Sequence, residues 1–137
     1  MITFNYETEF ALENEERTSN WVEEIIVKEG FTLGEVNYIF CDDKYLHKIN
    51  VEFLQHDTYT DIISFDYTLG KLINGDIYIS IDRVKENALK YNTTFANELH
   101  RVMIHGILHY VGYKDKTEED KKEMRNKENQ ALLILIN

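Results

Sequence analysis

Hydrophobic positions along this chain change period several times, and each change marks an element. Ile2, Phe4 and Tyr6 alternate with polar residues, which predicts a short strand. Asn14 before Glu15 and Glu16 reads as a helix start, and Trp21, Val22, Ile25 and Ile26 then give one apolar face that Gly30 ends. Val36 to Cys41 alternates again, with Val36, Tyr38 and Phe40 on one side of a strand. Asp42 or Asp43 caps the next helix, whose predicted apolar face is Tyr45, Leu46, Ile49 and Phe53. Residues 54–60 are polar and read as loop, and Asp61 to Phe65 as a strand. Asn74-Gly75 is a turn signal, and Ile77 to Ile81 predicts the following strand.

The rest of the pattern is helical. Asp82 is placed to cap a helix through Tyr91, and Thr93 or Thr94 to open one reaching about Val111. Thr117 ahead of Glu118, Glu119 and Asp120 marks a third start, because acidic side chains favour the positive end of the helix dipole. Met124, Ala131, Leu132 and Leu135 fall on one face of that last helix. The order βαβαββααα predicts an α+β fold: one mixed sheet of about four strands with helices packed on it, in a single domain over 1–137. The βαβ unit gives parallel neighbours and the hairpin an antiparallel one.

Composition narrows the class. With 137 residues, 43% of them hydrophobic and 29% charged, the chain suits an ordinary globular core. No apolar run is long enough to span a membrane, and the first residues lack a signal-peptide layout. Cys41 is the single cysteine, so there is no disulfide partner, and a cytoplasmic setting is expected. The net charge of −10 weighs against nucleic acid until its distribution is considered. Residues 1–36 hold nine Glu against Arg17 and Lys28, whereas residues 83–137 hold ten Lys and Arg against eight Asp and Glu. The back of the chain can therefore present a basic rim.

The candidate chemistry lies in His105-Gly106-Ile107-Leu108-His109-Tyr110-Val111-Gly112-Tyr113-Lys114-Asp115. Two histidines four apart share a helix face and can reach one metal ion. Gly112 can end the helix in a left-handed turn that brings Asp115 back toward them. This is the ligand spacing of a metzincin, with Asp as the third ligand and Gly106 where peptidases place their general-base Glu. An isolated histidine pair is more often packing; the glycine stop and the spaced carboxylate favour a metal site with an open position. Gly106 itself points either to close approach of another backbone or a substrate, or to tight helix–sheet packing.

The same stretch resembles the hallmark H-G-x-L-H-L-x-G-Y-D-H of the YbeY family of metal-dependent endoribonucleases, with Tyr110 for a Leu, Lys114 for the Asp and Asp115 for the last His. Asp42-Asp43 with Leu46 and Asn50, Asp57 through Thr60 to Phe65 with Tyr59 for a Pro, Gly75-Asp76-Ile77, and Glu98-Leu99 match further family motifs in order. Where many members carry an Arg after the aromatic at Phe53, this chain has Leu54, then Gln55 and His56. The resemblance implies a four-stranded mixed sheet and one zinc ion per chain on His105, His109 and Asp115. It implies cleavage of single-stranded RNA in maturation of the small-subunit rRNA 3′ end. Partners would be the ribosomal small subunit and assembly factors.

Beside the ligands, Arg101, His56 and Ser64 are candidates for work on the substrate, and Lys114 and Lys116 for steering an anion. Arg101 could equally pair with Glu98. Glu98, seven positions before His105, is placed either to orient a ligand histidine or to favour the helix start. Thr60 and Asp61 enter a strand where a cleft is expected. A metalloendopeptidase and a non-catalytic metal-binding assembly factor are the alternative readings.

Overall fold

The computed structural model describes residues 1–55 and 60–136. Its elements are β1 (Ile2–Tyr6), α1 (Glu15–Lys28), β2 (Thr32–Cys41), α2 (Asp43–Leu54), β3 (Ile62–Asp66), β4 (Leu72–Ser80), α3 (Ile81–Lys90), α4 (Phe95–Tyr110) and α5 (Glu118–Ile136). The four strands form one sheet in the order β1-β2-β4-β3. β1 and β2, and β2 and β4, are parallel, while β3 pairs antiparallel with β4. The α+β reading with a mixed four-stranded sheet therefore holds, element for element.

Alternation along β2 and β4 splits the interior in two. Val36, Tyr38 and Phe40 of β2 and Ile73, Ile77 and Ile79 of β4 face α1, α4 and α5 in the main core. Cys41, Leu46, Ile49 and Ile63 make a smaller core under α2, with Phe65 and Tyr78 against it. The Tyr38 hydroxyl spans the main core to donate to the Met103 carbonyl at 2.9 Å, so a buried polar group is satisfied where sheet meets helix.

Capping residues set the helix boundaries. Asn14, Asp42, Ser80 and Thr94 each accept a backbone N–H from the first turn that follows. At α5, Thr117 and Asp120 bond reciprocally, Asp120 N–H to Thr117 Oγ1 at 3.0 Å and Thr117 N–H to Asp120 Oδ2 at 3.4 Å.

Four local expectations are corrected. β2 begins at Thr32 rather than Val36, because Thr32 N–H finds the Lys71 carbonyl and extends the ladder. Asn74 and Gly75 lie inside β4; the chain reverses at Leu69 and Gly70 instead, where Gly70 has φ +59°. Asn74 still uses its side chain as a turn residue would, accepting Glu35 N–H across to β2 at 2.8 Å. Phe53 is 66% exposed and Tyr45 also faces out, while the buried face of α2 contains Asn50 with Leu46 and Ile49. Asp82 does not cap α3; its carboxylate accepts Asp43 N–H at 2.9 Å and ties the starts of α2 and α3 together.

Candidate metal centre

Helix α4 is buried on almost every side. Leu99, Val102, Met103, Ile104, Gly106, Ile107, Leu108 and Tyr110 all lie inside. Gly106 is the contact point with the sheet: a Cβ there would meet Ile77 Cδ1 at 3.1 Å and Ile62 Cδ1 at 3.2 Å. The packing reading of Gly106 is the one the structure supports. With the helix pressed down in this way, Arg101, His105 and His109, spaced four apart, form its half-buried stripe.

α4 ends as the sequence predicts. Gly112 has φ +109°, and Tyr113 N–H bonds back to the Leu108 carbonyl at 3.0 Å, the long bond of a Schellman motif. The loop is then pinned. The Tyr113 hydroxyl donates to Glu29 Oε1 at 2.6 Å, and Lys127 of α5 reaches Glu29 Oε2 at 3.4 Å. Two residues on, Asp115 meets the histidines.

His105 Nε2 and His109 Nε2 lie 3.0 Å apart, and Asp115 Oδ2 is 3.3 Å from each. Tetrahedral ligands about 2.0–2.1 Å from zinc are roughly 3.3–3.4 Å from one another. The three donor atoms therefore have the mutual spacing that one such cation requires, and the set of two imidazoles and a carboxylate is chemically suited to it. The three predicted ligands are brought together.

Behind the candidate ligands stands a residue that no motif of the sequence marks. Glu128 of α5 is 5% exposed, and its Oε2 is 2.7 Å from His105 Nδ1. Its other oxygen takes Arg101 Nη1 at 2.8 Å, and Arg101 Nη2 donates to Asn129 Oδ1 at 2.8 Å. Arg101 is thus held by Glu128 and Asn129, not by Glu98. The place against His105 that the sequence offers to Glu98 is occupied by Glu128. Glu98 is itself buried, and burial raises its pKa, aided by the Asp61 charge. Burial likewise raises Asp61. Burial alone would lower the His105 pKa; the Glu128 carboxylate, with Asp115 and Asp61, outweighs it and raises it. Burial would raise Glu128, but hydrogen bonds from His105 and Arg101 outweigh that and lower it.

A cleft of about 310 Å³ opens beside the cluster, with Asp61, Glu98, His105, Asp115 and Glu128 on its walls and Tyr91 and Arg125 among them. Arg125 is 60% exposed and only 3.7 Å from Glu128 Oε1. Lys114 and Lys116 are exposed on either side of Asp115. Ser64 lies on β3, exposed, with its hydroxyl against that of Tyr110 rather than in the cluster. His56, with Asp57 and Tyr59, lies outside the described residues.

Comparison with known proteins bears on this centre. Residues 2–135 match the family model described as endoribonuclease YbeY. A protein named endoribonuclease YbeY from Flavobacterium johnsoniae is 59% identical over 134 residues, 98% of this chain and 96% of its own length. One of the same name from Flavobacterium psychrophilum is 57% identical, again over 98% of this chain and 96% of its own. The solution structure of the Thermotoga maritima protein TM1509 superposes with a TM-score of 0.73 at 31% identity, covering 98% of this chain and 89% of that one.

Proposed function

This chain belongs to the YbeY endoribonuclease family, and we propose that it is a metal-dependent endoribonuclease acting on single-stranded RNA. The observation that supports the reading best is the triangle of His105 Nε2, His109 Nε2 and Asp115 Oδ2 at 3.0–3.3 Å. We take the resident ion to be zinc, one per chain. When bound it would polarise a phosphoryl oxygen or lower the pKa of a water to about 7.

The chain's own residues account for the rest. His105 and His109 offer Nε2, and Asp115 a charged oxygen from the opposite side. Asp61 and Glu98 line the cleft with carboxyl groups, which disfavour a phosphate beside them. Arg125, exposed in the cleft, and Lys114 and Lys116, on either side of Asp115, are cations placed to hold the RNA backbone so that the scissile phosphate lies beside the three donor atoms. Arg101 does not contact the phosphate in this reading, because its guanidinium is taken by Glu128 and Asn129. Residues 1–137 act as one domain. By family likeness the biological substrate is the 3′ end of small-subunit rRNA, met in the cytoplasm on the ribosomal small subunit with its assembly factors. No helix among the described residues is long and apolar enough to cross a membrane.

The peptidase alternative needs a general base next to the first histidine. Gly106 is there, facing Ile77 and Ile62. The purely structural alternative leaves the cleft beside His105 and Asp115 without a purpose. One zinc-loaded sample assayed on single-stranded RNA and on casein separates the three. RNA cleavage with intact casein is expected. Casein hydrolysis would replace the reading with a peptidase, and inertness toward both would leave the assembly factor.

A further inference from the structure

Helix α5 is joined to the metal centre by a residue with no part in ligation. Glu128 follows Met124 by four positions and precedes Ala131 by three, so it interrupts the buried face of α5. A carboxylate is rarely that well buried unless it is paired. Here both oxygens are used: Oε2 at 2.7 Å from His105 Nδ1, and Oε1 at 2.8 Å from Arg101 Nη1. Arg101 completes its fork on Asn129 at 2.8 Å. Both α4 residues of this network, Arg101 and His105, lie one turn apart, so two adjacent residues of α5 clamp two turns of the metal-binding helix.

We propose that Glu128 is a positioning residue: by accepting the Nδ1–H of His105 it fixes that imidazole's tautomer and turns its Nε2 lone pair toward His109 and Asp115, so that α5 sets the metal affinity of a site on α4. A carboxylate accepts and does not donate, so the proton must reside on Nδ1. Without Glu128, the ring is free to place its proton on Nε2, the atom that faces the other two donors. Carboxylates behind ligating histidines commonly affect metal affinity by about 10–100-fold. Arg101 plays a separate part, offsetting the Glu128 charge in the interior, and removing one partner alone leaves the other buried and unpaired.

That separation supplies the test, which rests on the metal-site reading above. Zinc affinity is measured by competition with a chelator, and fold by circular dichroism and urea unfolding. Glu128→Met should weaken zinc binding about 10–100-fold and destabilise the protein. Arg101→Met/Glu128→Met removes both buried charges and should recover much of the stability, while zinc affinity stays low. Glu128→Gln, which keeps an acceptor oxygen, should fall between wild type and Glu128→Met. Nitrogen NMR of the zinc-free protein, recorded at a pH high enough for the histidine rings to be neutral, should show His105 as the Nδ1–H tautomer in wild type and as a mixture of tautomers in the double variant. Unchanged zinc affinity in Glu128→Met would overturn the proposal. So would recovery of affinity together with stability in the double variant, since a merely structural role predicts that. Wild-type protein with no zinc affinity, or His105→Ala with full affinity, would instead refute the metal site itself.

Discussion

Gly75→Ala is the smallest change that tests how β4, α4 and the metal centre fit together. A Cβ at Gly75 would lie 2.4 Å from the Tyr110 hydroxyl oxygen and 2.5 and 2.6 Å from ring carbons Cζ and Cε2. Ordinary carbon contacts are about 3.5–4.0 Å, so the ring must withdraw by roughly 1 Å. It has little room, being 5% exposed with its hydroxyl sharing its one proton between the Phe65 and Asp76 carbonyls at 3.0 and 3.1 Å. Overpacking of this kind costs about 1–3 kcal/mol. Weakening this shared buried hydrogen bond adds roughly 1 kcal/mol. Replacing a strand glycine returns about 0.5–1 kcal/mol. The net expectation is a loss of about 2–3 kcal/mol, or roughly 10 °C in melting temperature for a domain of this size. Denaturant unfolding of Gly75→Ala, Tyr110→Leu and the double variant gives the coupling. Gly75→Ala should cost at least ~1.5 kcal/mol less in the Tyr110→Leu background. An equal cost in both backgrounds, or a cost below about 0.5 kcal/mol in wild type, would refute the argument. Because His109 precedes Tyr110, Gly75→Ala should also weaken zinc binding.

Three further outcomes are expected. Asp115→His should keep zinc binding, whereas Asp115→Ala should lose most of it and Asp115→Asn should weaken it by losing the charge; a zinc titration that leaves Asp115→Ala at full affinity would remove the third ligand. RNA affinity should fall steeply with salt despite the net charge of −10, and Arg125→Ala should both weaken it and flatten the salt slope, as read by fluorescence anisotropy. Burial, with Arg17 nearby, lowers the His100 pKa below its unfolded value near 6.5. The unfolded chain therefore binds the extra proton first, so this contribution to stability is complete above about pH 6.5 and is lost as pH falls through the folded pKa. His100→Gln should show a smaller drop in urea-unfolding stability from pH 7 to 5 than wild type, and identical drops would contradict the assignment.

Much of this molecule is legible in one dimension because local chemistry and tertiary packing agree there. Asn14, Asp42, Thr94 and Thr117 cap the helices they precede, and Gly30 and Gly112 carry the positive φ their positions suggested. The candidate ligand triad is readable for the same reason: two of its members are one helical turn apart, and a glycine fixes the return of the third. Where the reading failed, a distant partner decided the outcome. Asn74-Gly75 has the composition of a hairpin turn, but Gly75 is small because Tyr110 rests on it, thirty-five positions away in sequence. Glu128 was passed over although its signal was present, a carboxylate in register with Met124 and Ala131. Only the packing of α5 against α4 shows that this register points it at His105 rather than at a solvated edge. Phe53 continues the apolar face of α2 on a helical wheel, yet it lies beyond the edge of the small core.

That small core gives the molecule an internal timer. Cys41 is wholly buried at the end of β2, and burial, with acidic neighbours, pushes its thiol pKa up to about 12. At neutral pH almost no thiolate forms and no reagent reaches the sulfur until β2 and α2 part. As the only cysteine in the chain, it reacts with a thiol reagent at a rate set by every opening that exposes this half of the protein. The candidate metal centre lies across the sheet, beside the other core. Comparing the alkylation rate of Cys41 with and without bound zinc therefore measures whether the two faces of the sheet open together or separately. This needs no added label and no substitution.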